Sequence, residues 1–388
     1  MTPDDRTLDD GALEGEALEG DALEDRALLD LLQKDFPIAP RPFALLGAKA
    51  GLTEAEVVAR VAAWRKSGII RRLGPVFEPR RLGYSGVLCG AAVPEARIGR
   101  VAGVVNRFPG VTHNYLREAR WPAGRMPAMA PGIRFFNLWF TLTAASSGDI
   151  AQTLDIAREE AGLAPEDLAV FPATRLFKIK VEFSLGDETG ELATGQPVPG
   201  WGSDGEREPA EVGLAGATKA AADATRAAAG DLAGADWDLI EGLQDELPPI
   251  NRPFGPLAAR LGFSEDELCA RVDELRQAGV IRRFGATLKH VAVGYGANAM
   301  VVWRVPAGAT VEAGRAMAAF TAVSHCYERT EAAGWPFNLY TMIHGKSDDG
   351  VFATTQAIEQ ATGIRERLHL FTVRELKKER MRYRRPPE

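Results

Sequence analysis

A long internal repeat constrains the fold of this 388-residue chain more than any other feature. GIIRRLG at 68–74 recurs as GVIRRFG at 279–285, an offset of 211 residues. Further on, FPGVTHNY at 108–115 matches FTAVSHCY at 320–327, and FNLWFTL at 136–142 matches FNLYTMI at 337–343. A solenoid repeats every ~20–50 residues, so this period is too long for one. The pattern predicts two copies of one two-domain unit.

The first copy carries eleven more residues between its last two markers, since the offset falls from 212 to 201. The insertion, WPAGRMPAMAPGIR at 121–134, is rich in Pro and Gly. We expect it to form a loop near a site, because functional residues are often carried on loops.

Two segments poor in large apolar residues flank the copies. Such segments bury too little surface to form a core, so we interpret them as a tail and a linker. The predicted division is an acidic disordered tail at 1–28, a helix-turn-helix domain at 29–82, a ferredoxin-like domain at 83–183, a linker at 184–235, a second helix-turn-helix domain at 236–293 and a second ferredoxin-like domain at 294–388.

Each copy changes its hydrophobic period partway along. Thr53 precedes Val57, Val61 and Trp64 at helical spacing, and Gly68 follows, which predicts a capped helix with a defined end. After residue 83 the segments alternate as strand, helix, strand, strand, helix, strand, which is the βαββαβ order of the ferredoxin-like fold. The predicted class is therefore α+β, with a tandem duplication.

A helix-turn-helix followed by a ferredoxin-like domain resembles the Lrp/AsnC transcription regulators. In that layout the recognition helices would begin at Thr53 and Ser264, and their first turns would approach DNA. Glu54 and Glu56 occupy one first turn, and carboxylates also fill the other at 265–267. Because carboxylates repel phosphate, we expect no DNA binding, although a ligand-sensing regulator stays the alternative function.

Composition excludes further classes of protein. The net charge of −7 and pI near 5.5 argue against a sequence-independent nucleic-acid binder. No apolar run is long enough for a membrane span, and acidic residues rather than a signal sequence follow Met1, so we expect a cytoplasmic protein. The three cysteines are widely spaced and suggest neither disulfides nor a zinc site.

Two of the five histidines, His113 and His325, occupy equivalent positions in the repeat. Each is followed two residues later by a tyrosine, Tyr115 or Tyr327, and residues i and i+2 of a strand share a face. Imidazole beside phenol can supply protons near neutral pH or bind a metal. A half-buried histidine with only a structural role is the alternative.

Arginines are also repeated, and guanidinium groups bind carboxylates with two hydrogen bonds. A solvated strand edge is the alternative explanation for each of them. Aromatic residues fall on the same strands and loops, and most of them are expected in the core. Together these residue types would suit a flat, polyanionic aromatic ligand. The repeated arginines are Arg71, Arg72, Arg282, Arg283, Arg117 and Arg329.

The motifs GIIRRLG, THNYLRE and FNLWFTL, with GVIRRFG, SHCYERT and WPFNLYTMIHG, resemble the two homologous subunits of siroheme decarboxylase joined in one chain. The resemblance covers nearly all of the sequence outside the tail and linker. Fused members of this family, the NirDL type, serve haem d1 synthesis, and the unfused pair serves an alternative haem pathway.

The resemblance implies that siroheme loses the carboxyl groups of two acetate side chains, giving didecarboxysiroheme and carbon dioxide. It implies no added cofactor, with iron entering only in the substrate and no protein metal site. It makes His113 and His325 candidates for proton donors or iron-facing residues, with Tyr115 and Tyr327 assisting, and adds His344 from the neighbouring strand. The repeated arginines above, with Trp335 and Asn338, become candidates for substrate binding.

One departure from the family bears on the number of sites. The half with HNYLRE often carries another histidine shortly downstream, and residues 119–136 contain none. We therefore expect one working pocket, lined mainly by the second copy and completed by His113. We expect the two ferredoxin-like domains to pair as an internal heterodimer. Homodimerisation and association with homologous decarboxylase subunits are left open by the sequence.

Overall fold

We describe the protein from a computed structural model, in which residues 22–122, 132–179, 232–289 and 296–385 are described. Most of the predicted tail and linker, and the middle of the 121–134 insertion, lie outside these ranges.

The described residues form helices and strands in the predicted alternation. The helices are α1 Ala22–Lys34, α2 Pro42–Ala50, α3 Glu54–Lys66, α4 Ile98–Asn106, α5 Ser147–Ala161, α6 Gly234–Leu243, α7 Gly255–Leu261, α8 Glu265–Gln277, α9 Thr310–Ala318 and α10 Asp348–Thr362. The strands are β1 Ile70–Phe77, β2 Ser85–Ala91, β3 Val111–Arg120, β4 Leu138–Ala144, β5 Leu168–Phe171, β6 Ala173–Ile179, β7 Ile281–Leu288, β8 Ala297–Trp303, β9 Val323–Arg329, β10 Leu339–Gly345 and β11 Arg367–Lys378.

The helix caps follow the sequence signals. Thr53 and Ser264 each accept a hydrogen bond from the backbone amide of the third residue of the helix, and that residue's carboxylate accepts one from the backbone amide of the cap. The carboxylates of Glu54 and Glu265 pair with the equivalent arginines Arg41 and Arg252. The acidic first turns therefore serve the helices themselves.

The predicted tail is too long at its carboxyl end, because α1 begins at Ala22 rather than after residue 28. Leu28, Leu29 and Leu32 follow helical spacing and are fully buried. The acidic residues around them hid this apolar face in the sequence. At the linker, α6 likewise begins at Gly234, before the predicted boundary.

The helical units of the two copies share one core. Their strands β1 and β7 pair antiparallel, and Gly74 lies opposite its repeat equivalent, Gly285. The pseudo-twofold axis relating the copies therefore passes near this glycine pair. The helix-turn-helix domains are thus joined back to back rather than separated.

The ferredoxin-like units form one nine-stranded sheet in the order β5-β2-β4-β3-β11-β8-β10-β9-β6. The long strand β11 pairs with β8 of its own copy and with β3 of the other. The stretch predicted as the last strand of copy one is broken at Pro172 into β5, which pairs with β2, and β6, which pairs with β9. The expected internal heterodimer is confirmed, with strands exchanged between copies.

The sheet curls until its ends meet, because β5 and β6 are its two edges and only Pro172 separates them. Helices α4 and α5 cover one unit from outside, and α9 and α10 cover the other. The inner face carries an aromatic cluster from both copies, including Trp139, Phe171 and Trp335. No helix within the described ranges is long and apolar enough to cross a membrane.

The glycine pair on the pseudo-twofold axis gives a matched test of this packing. A Cβ at Gly285 would lie 2.5 Å from the carbonyl oxygen of Leu32, whereas one at Gly74 would meet only the Arg72 side chain at 3.4 Å. We expect Gly285→Ala to lower the free energy of unfolding by about 1–3 kcal/mol, and Gly74→Ala to cost less. Both variants share a similar φ, so urea denaturation of the pair isolates the clash; equal losses would contradict it.

Candidate active site

A cavity of about 1870 Å³ opens between the inner face of the nine-stranded sheet and the β1–β7 pair. Sites for drug-sized ligands are usually ~300–1,000 Å³, so this one suits a larger molecule. Its apolar wall includes Trp139, Met300, Tyr340 and Met342. Both copies contribute to it, which places their histidines in one shared space.

Each copy contributes the same trio to this cavity, because alternate residues of a strand share a face. On β3 the trio is His113, Tyr115 and Arg117, and on β9 it is the equivalent set at 325, 327 and 329. The rings of His113 and Tyr115 lie 6.2 Å apart, and those of the second pair lie 6.3 Å apart. The sequence prediction that each pair projects together is therefore confirmed.

A register shift precedes each histidine. Between Val111 and His113 strand β3 gains a residue relative to β4, and β9 gains Ser324 relative to β10. Such a bulge redirects a side chain, so that Thr112 can bond its neighbour. The Thr112 hydroxyl lies 2.9 Å from Nδ1 of His113, and the Ser324 hydroxyl lies 2.9 Å from Nδ1 of His325. In each case Nε2 remains for a ligand in the cavity.

The third members of the trios are cations, of which Arg117 is buried and Arg329 is partly buried. Arg117 donates one hydrogen bond to the carbonyl of Leu370, and Arg329 donates one to the carbonyl of Phe171. Within the described residues, Nε of each is buried without a hydrogen-bond partner. Each guanidinium also lies over the tyrosine of its own trio, at 5.2 Å and 4.7 Å. This leaves donor capacity for a carboxylate.

The arginines of β1 and β7 differ in how many of their hydrogen-bond donors are already used within the fold. Arg72 donates to the carbonyls of Pro75 and Leu243, and Arg283 donates to those of Gln33 and Ala286. These two line the cavity, but several of their hydrogen-bond donors are already bound to backbone carbonyls. Arg71 bonds the carbonyl of Lys378.

Arg282 completes the set, with its Nε 3.6 Å from a carboxylate oxygen of Glu78. This separation is longer than a normal hydrogen bond, so the pairing is mainly electrostatic. The guanidinium therefore keeps hydrogen-bond donors for another anion.

Sequence reasoning missed a basic segment at 379–385, here termed the C-terminal strap. Arg380, Arg382 and Arg384 of this strap line the cavity. Tyr383 between them is buried in the helical core, and its backbone exchanges hydrogen bonds of 2.6 and 2.8 Å with the amide of Gln244. The run KKERMRYRR was the available signal, but only the fold shows that it crosses the site.

Cations dominate the cavity wall. Among the described residues, eleven Arg and Lys side chains line it against two carboxylates, Glu246 and Glu379, in a chain whose net charge is −7. Such a local excess of positive charge raises the concentration of anions in a cleft. The wall therefore combines apolar and aromatic side chains of the sheet with guanidinium groups from the sheet, the β1–β7 pair and the C-terminal strap.

Burial, with a contribution from nearby cations, keeps the imidazoles neutral. Burial, helped by the charges of Lys378 and Arg71, lowers the pKa of His113 to about 4. Burial, helped by Arg282 and Arg329, lowers the pKa of His325 to about 4 as well. Burial also raises the pKa of Tyr115 to about 12, which favours the phenol form. Without a ligand, both histidines are therefore neutral imidazoles at neutral pH.

The structure places only one of the three remaining candidates of the second copy in the cavity wall. His344 lines the cavity, and its Nε2 lies 2.9 Å from the Ser324 hydroxyl. Trp335 is fully buried and donates to the Tyr340 hydroxyl, while the Asn338 amide bonds the backbone of Val305. Neither Trp335 nor Asn338 lines the cavity, so the structure does not bring these two candidates together with the others. Their polar groups are used inside the fold.

Two protein families match the chain by their domain models. The AsnC-like ligand binding domain matches residues 81–178 and 292–377. The siroheme decarboxylase NirDL-like HTH domain matches residues 25–71 and 236–282. Both models match twice, in agreement with the repeat.

Individual relatives agree with these models. The chain is 32% identical to the siroheme decarboxylase of Hydrogenobacter thermophilus, over 92% of this chain and 93% of that protein. It is 42% identical over 157 residues to the siroheme decarboxylase alpha subunit of Nitratidesulfovibrio vulgaris, covering 40% of this chain and 79% of the subunit. The crystal structure of the siroheme decarboxylase NirDL with an iron-uroporphyrin III analogue superposes with a TM-score of 0.61 at 28% identity, covering 93% of this chain and 94% of that one. This chain belongs to the siroheme decarboxylase family.

Proposed function

We propose that this chain decarboxylates siroheme, removing the carboxyl groups of two acetate side chains. The observation that carries the proposal is the shared cavity, into which equivalent strands of the two copies project the same trio of a histidine, a tyrosine and an arginine. A flat macrocycle can lie on the apolar sheet face while its carboxylates meet the surrounding cations. Family membership supports the same substrate class.

The proposed chemistry needs few groups from the protein. When carbon dioxide leaves an acetate side chain, the electron pair remains on the methylene carbon, and the conjugated macrocycle can absorb it. We therefore propose a carboxy-lyase reaction without an added cofactor, in which iron enters only with the siroheme. The chain must hold the carboxylates and deliver one proton to each new methyl group.

Binding of the substrate would itself charge the histidines. Burial is the main cause of the low pKa of His113 and His325, and neighbouring cations lower it further. A polycarboxylate in the same cavity would offset the effect of the cations. Each imidazole could then take up a proton and offer it from Nε2. Arg117 and Arg329 would anchor carboxylates beside them, and Tyr115 and Tyr327 would donate hydrogen bonds as neutral phenols.

The first prediction is the reaction. Anaerobic incubation with siroheme should give a product lighter by two carbon dioxide units, measured by mass spectrometry. His325→Ala and His113→Ala should each slow product formation by about 100-fold or more, with binding largely retained, because they remove a proton donor. His369→Gln is the matched control, since His369 is buried against Thr355 and does not line the cavity.

The same assay separates the alternative, a ligand-sensing regulator of the Lrp/AsnC type. A regulator would leave the bound tetrapyrrole unchanged. That result, obtained while a related siroheme decarboxylase converts siroheme in the same assay, would contradict the lyase proposal. The absence of DNA binding and the cytoplasmic location stay predictions from the sequence, and homodimerisation and association with other decarboxylase subunits stay open.

A second prediction concerns proton uptake when a polyanionic ligand binds. Near pH 5 both imidazoles are mostly neutral in the free protein, because their pKa values lie at about 4. A polyanion raises these pKa values, so binding of iron uroporphyrin III should be accompanied by proton uptake. Calorimetry in buffers of different ionisation enthalpy measures the uptake. It should shrink in a His113→Gln, His325→Gln double variant; proton release in the wild type would contradict the assignment.

A third prediction addresses the C-terminal strap. Replacing Arg380 and Arg384 together with Gln should weaken binding of iron uroporphyrin III by about tenfold, because charged hydrogen bonds to carboxylates are lost. Arg385→Gln provides the control, as Arg385 neighbours these residues but does not line the cavity. Absorbance titration reports the affinities. Equal affinity in all three proteins would remove the strap from the substrate site.

A further inference from the structure

One hydroxyl group connects two imidazoles in the second copy. Ser324 Oγ lies 2.9 Å from Nδ1 of His325 and 2.9 Å from Nε2 of His344. Its remaining contact, to the carbonyl oxygen of Met342, is longer at 3.3 Å. A hydroxyl donates one proton and accepts others, so it can pass a proton between two ring nitrogens. The three side chains form a continuous hydrogen-bonded path.

Both ends of this path reach the cavity. His325 and His344 line the wall, whereas Ser324 between them is buried. With Nδ1 of His325 directed at Ser324, Nε2 is the nitrogen left for the substrate. His344 lies on β10 two residues beyond Met342, the residue that pairs with His325 across the strands. The register of β9 and β10, together with the bulge at Ser324, thus sets the path.

The first copy lacks the second imidazole. Thr112 holds Nδ1 of His113 as Ser324 holds that of His325, but its other partner is the Thr141 hydroxyl at 3.2 Å. The repeat aligns Met342 with Thr141, and His344 with Thr143. A path that ends on a threonine cannot store a proton, since a threonine hydroxyl is not basic at neutral pH.

The charges around His325 explain why holding the proton on another residue between turnovers would help. Arg282 and Arg329 lie near its ring, as do Lys178 and the imidazole of His113. These groups disfavour a positive charge on His325 between turnovers. A proton held on His344 is separated from the His325 ring by one hydroxyl, through which it can be delivered.

We propose that Ser324 and His344 form a proton relay that supplies His325, so that the second copy delivers its proton faster than the first. The proposal rests on the decarboxylation proposed above. Carbon dioxide leaves as the C–C bond breaks, and the electron pair left on the methylene carbon takes the Nε2 proton of His325. The Ser324 hydroxyl proton moves to Nδ1 of His325, and the Nε2 proton of His344 moves to Ser324. His344 begins as imidazolium and ends neutral. The path is reset when Nε2 of His325 takes a proton from water and its Nδ1 proton returns through Ser324 to His344.

Within this scheme His344 and Ser324 are positioning and relay residues, because neither has to touch the substrate. Loss of the relay should therefore slow one of the two proton deliveries and spare the other. A singly decarboxylated tetrapyrrole should accumulate, which general destabilisation of the fold would not produce.

The test compares Ser324→Ala, Ser324→Thr and His344→Gln in the full chain under single-turnover, anaerobic conditions with siroheme. We expect Ser324→Ala and His344→Gln to slow one decarboxylation by about tenfold or more, with singly decarboxylated product accumulating. Ser324→Thr should restore most of the rate, because Thr112 makes the equivalent contact in the first copy. His369→Gln controls for the loss of a buried histidine bonded to a hydroxyl.

Rates measured in mixtures of light and heavy water provide a second readout. Wild type and Ser324→Thr should show a curved dependence on deuterium fraction, as several protons move together, and Ser324→Ala a linear one. An active wild type with unchanged rates and unchanged curvature in Ser324→Ala and His344→Gln overturns the relay and leaves the decarboxylase intact. A wild type that binds siroheme without converting it overturns the proposed function instead.

Discussion

The exchange of backbone hydrogen bonds between the two copies is the constraint on which the rest of this structure depends. Strand β11 completes its own unit through β8 and joins the other through β3, while β6 crosses to the far edge at β9. Each ladder satisfies strand edges that would otherwise be exposed. Because the joined sheet curls until its ends meet, its inner face belongs to both copies, and the cavity exists only in the joined form.

The helical domains acquire a different role from the one their pattern first suggests. Their own acidic first turns are occupied by capping bonds and by Arg41 and Arg252. The strands that follow them, β1 and β7, bring arginines to the cavity wall, and their common core holds Tyr383 of the C-terminal strap. The helix-turn-helix pair thus positions the arginines that make the cavity wall positive in an otherwise acidic protein.

Much of the fold was predictable because local signals and the repeat agreed. The capping residues Thr53 and Ser264, the βαββαβ order and the shared face of each His and Tyr pair all follow from period and offset. The break at Pro172 and the exchange of strands were not predictable in detail, since they depend on contacts between copies far apart in sequence.

The site was only partly predictable for a related reason. A side chain's type does not reveal whether its donors are already used, and this distinguishes Arg117 from Arg283, and His344 from Trp335. The C-terminal strap was missed because a basic run at a terminus usually indicates a solvated end. Its position over the cavity depends on Tyr383, whose burial is a property of the tertiary structure.

Joining the halves in one polypeptide has an evolutionary consequence for the centre of the molecule. In an assembly of identical chains, every substitution is introduced on both sides of the axis at once. Here Thr141 faces one histidine where the aligned residue facing the other is Met342, and His344 is matched by Thr143. Each half can thus mutate on its own, so two once-equivalent positions can specialise for successive events on a substrate that is itself unsymmetrical.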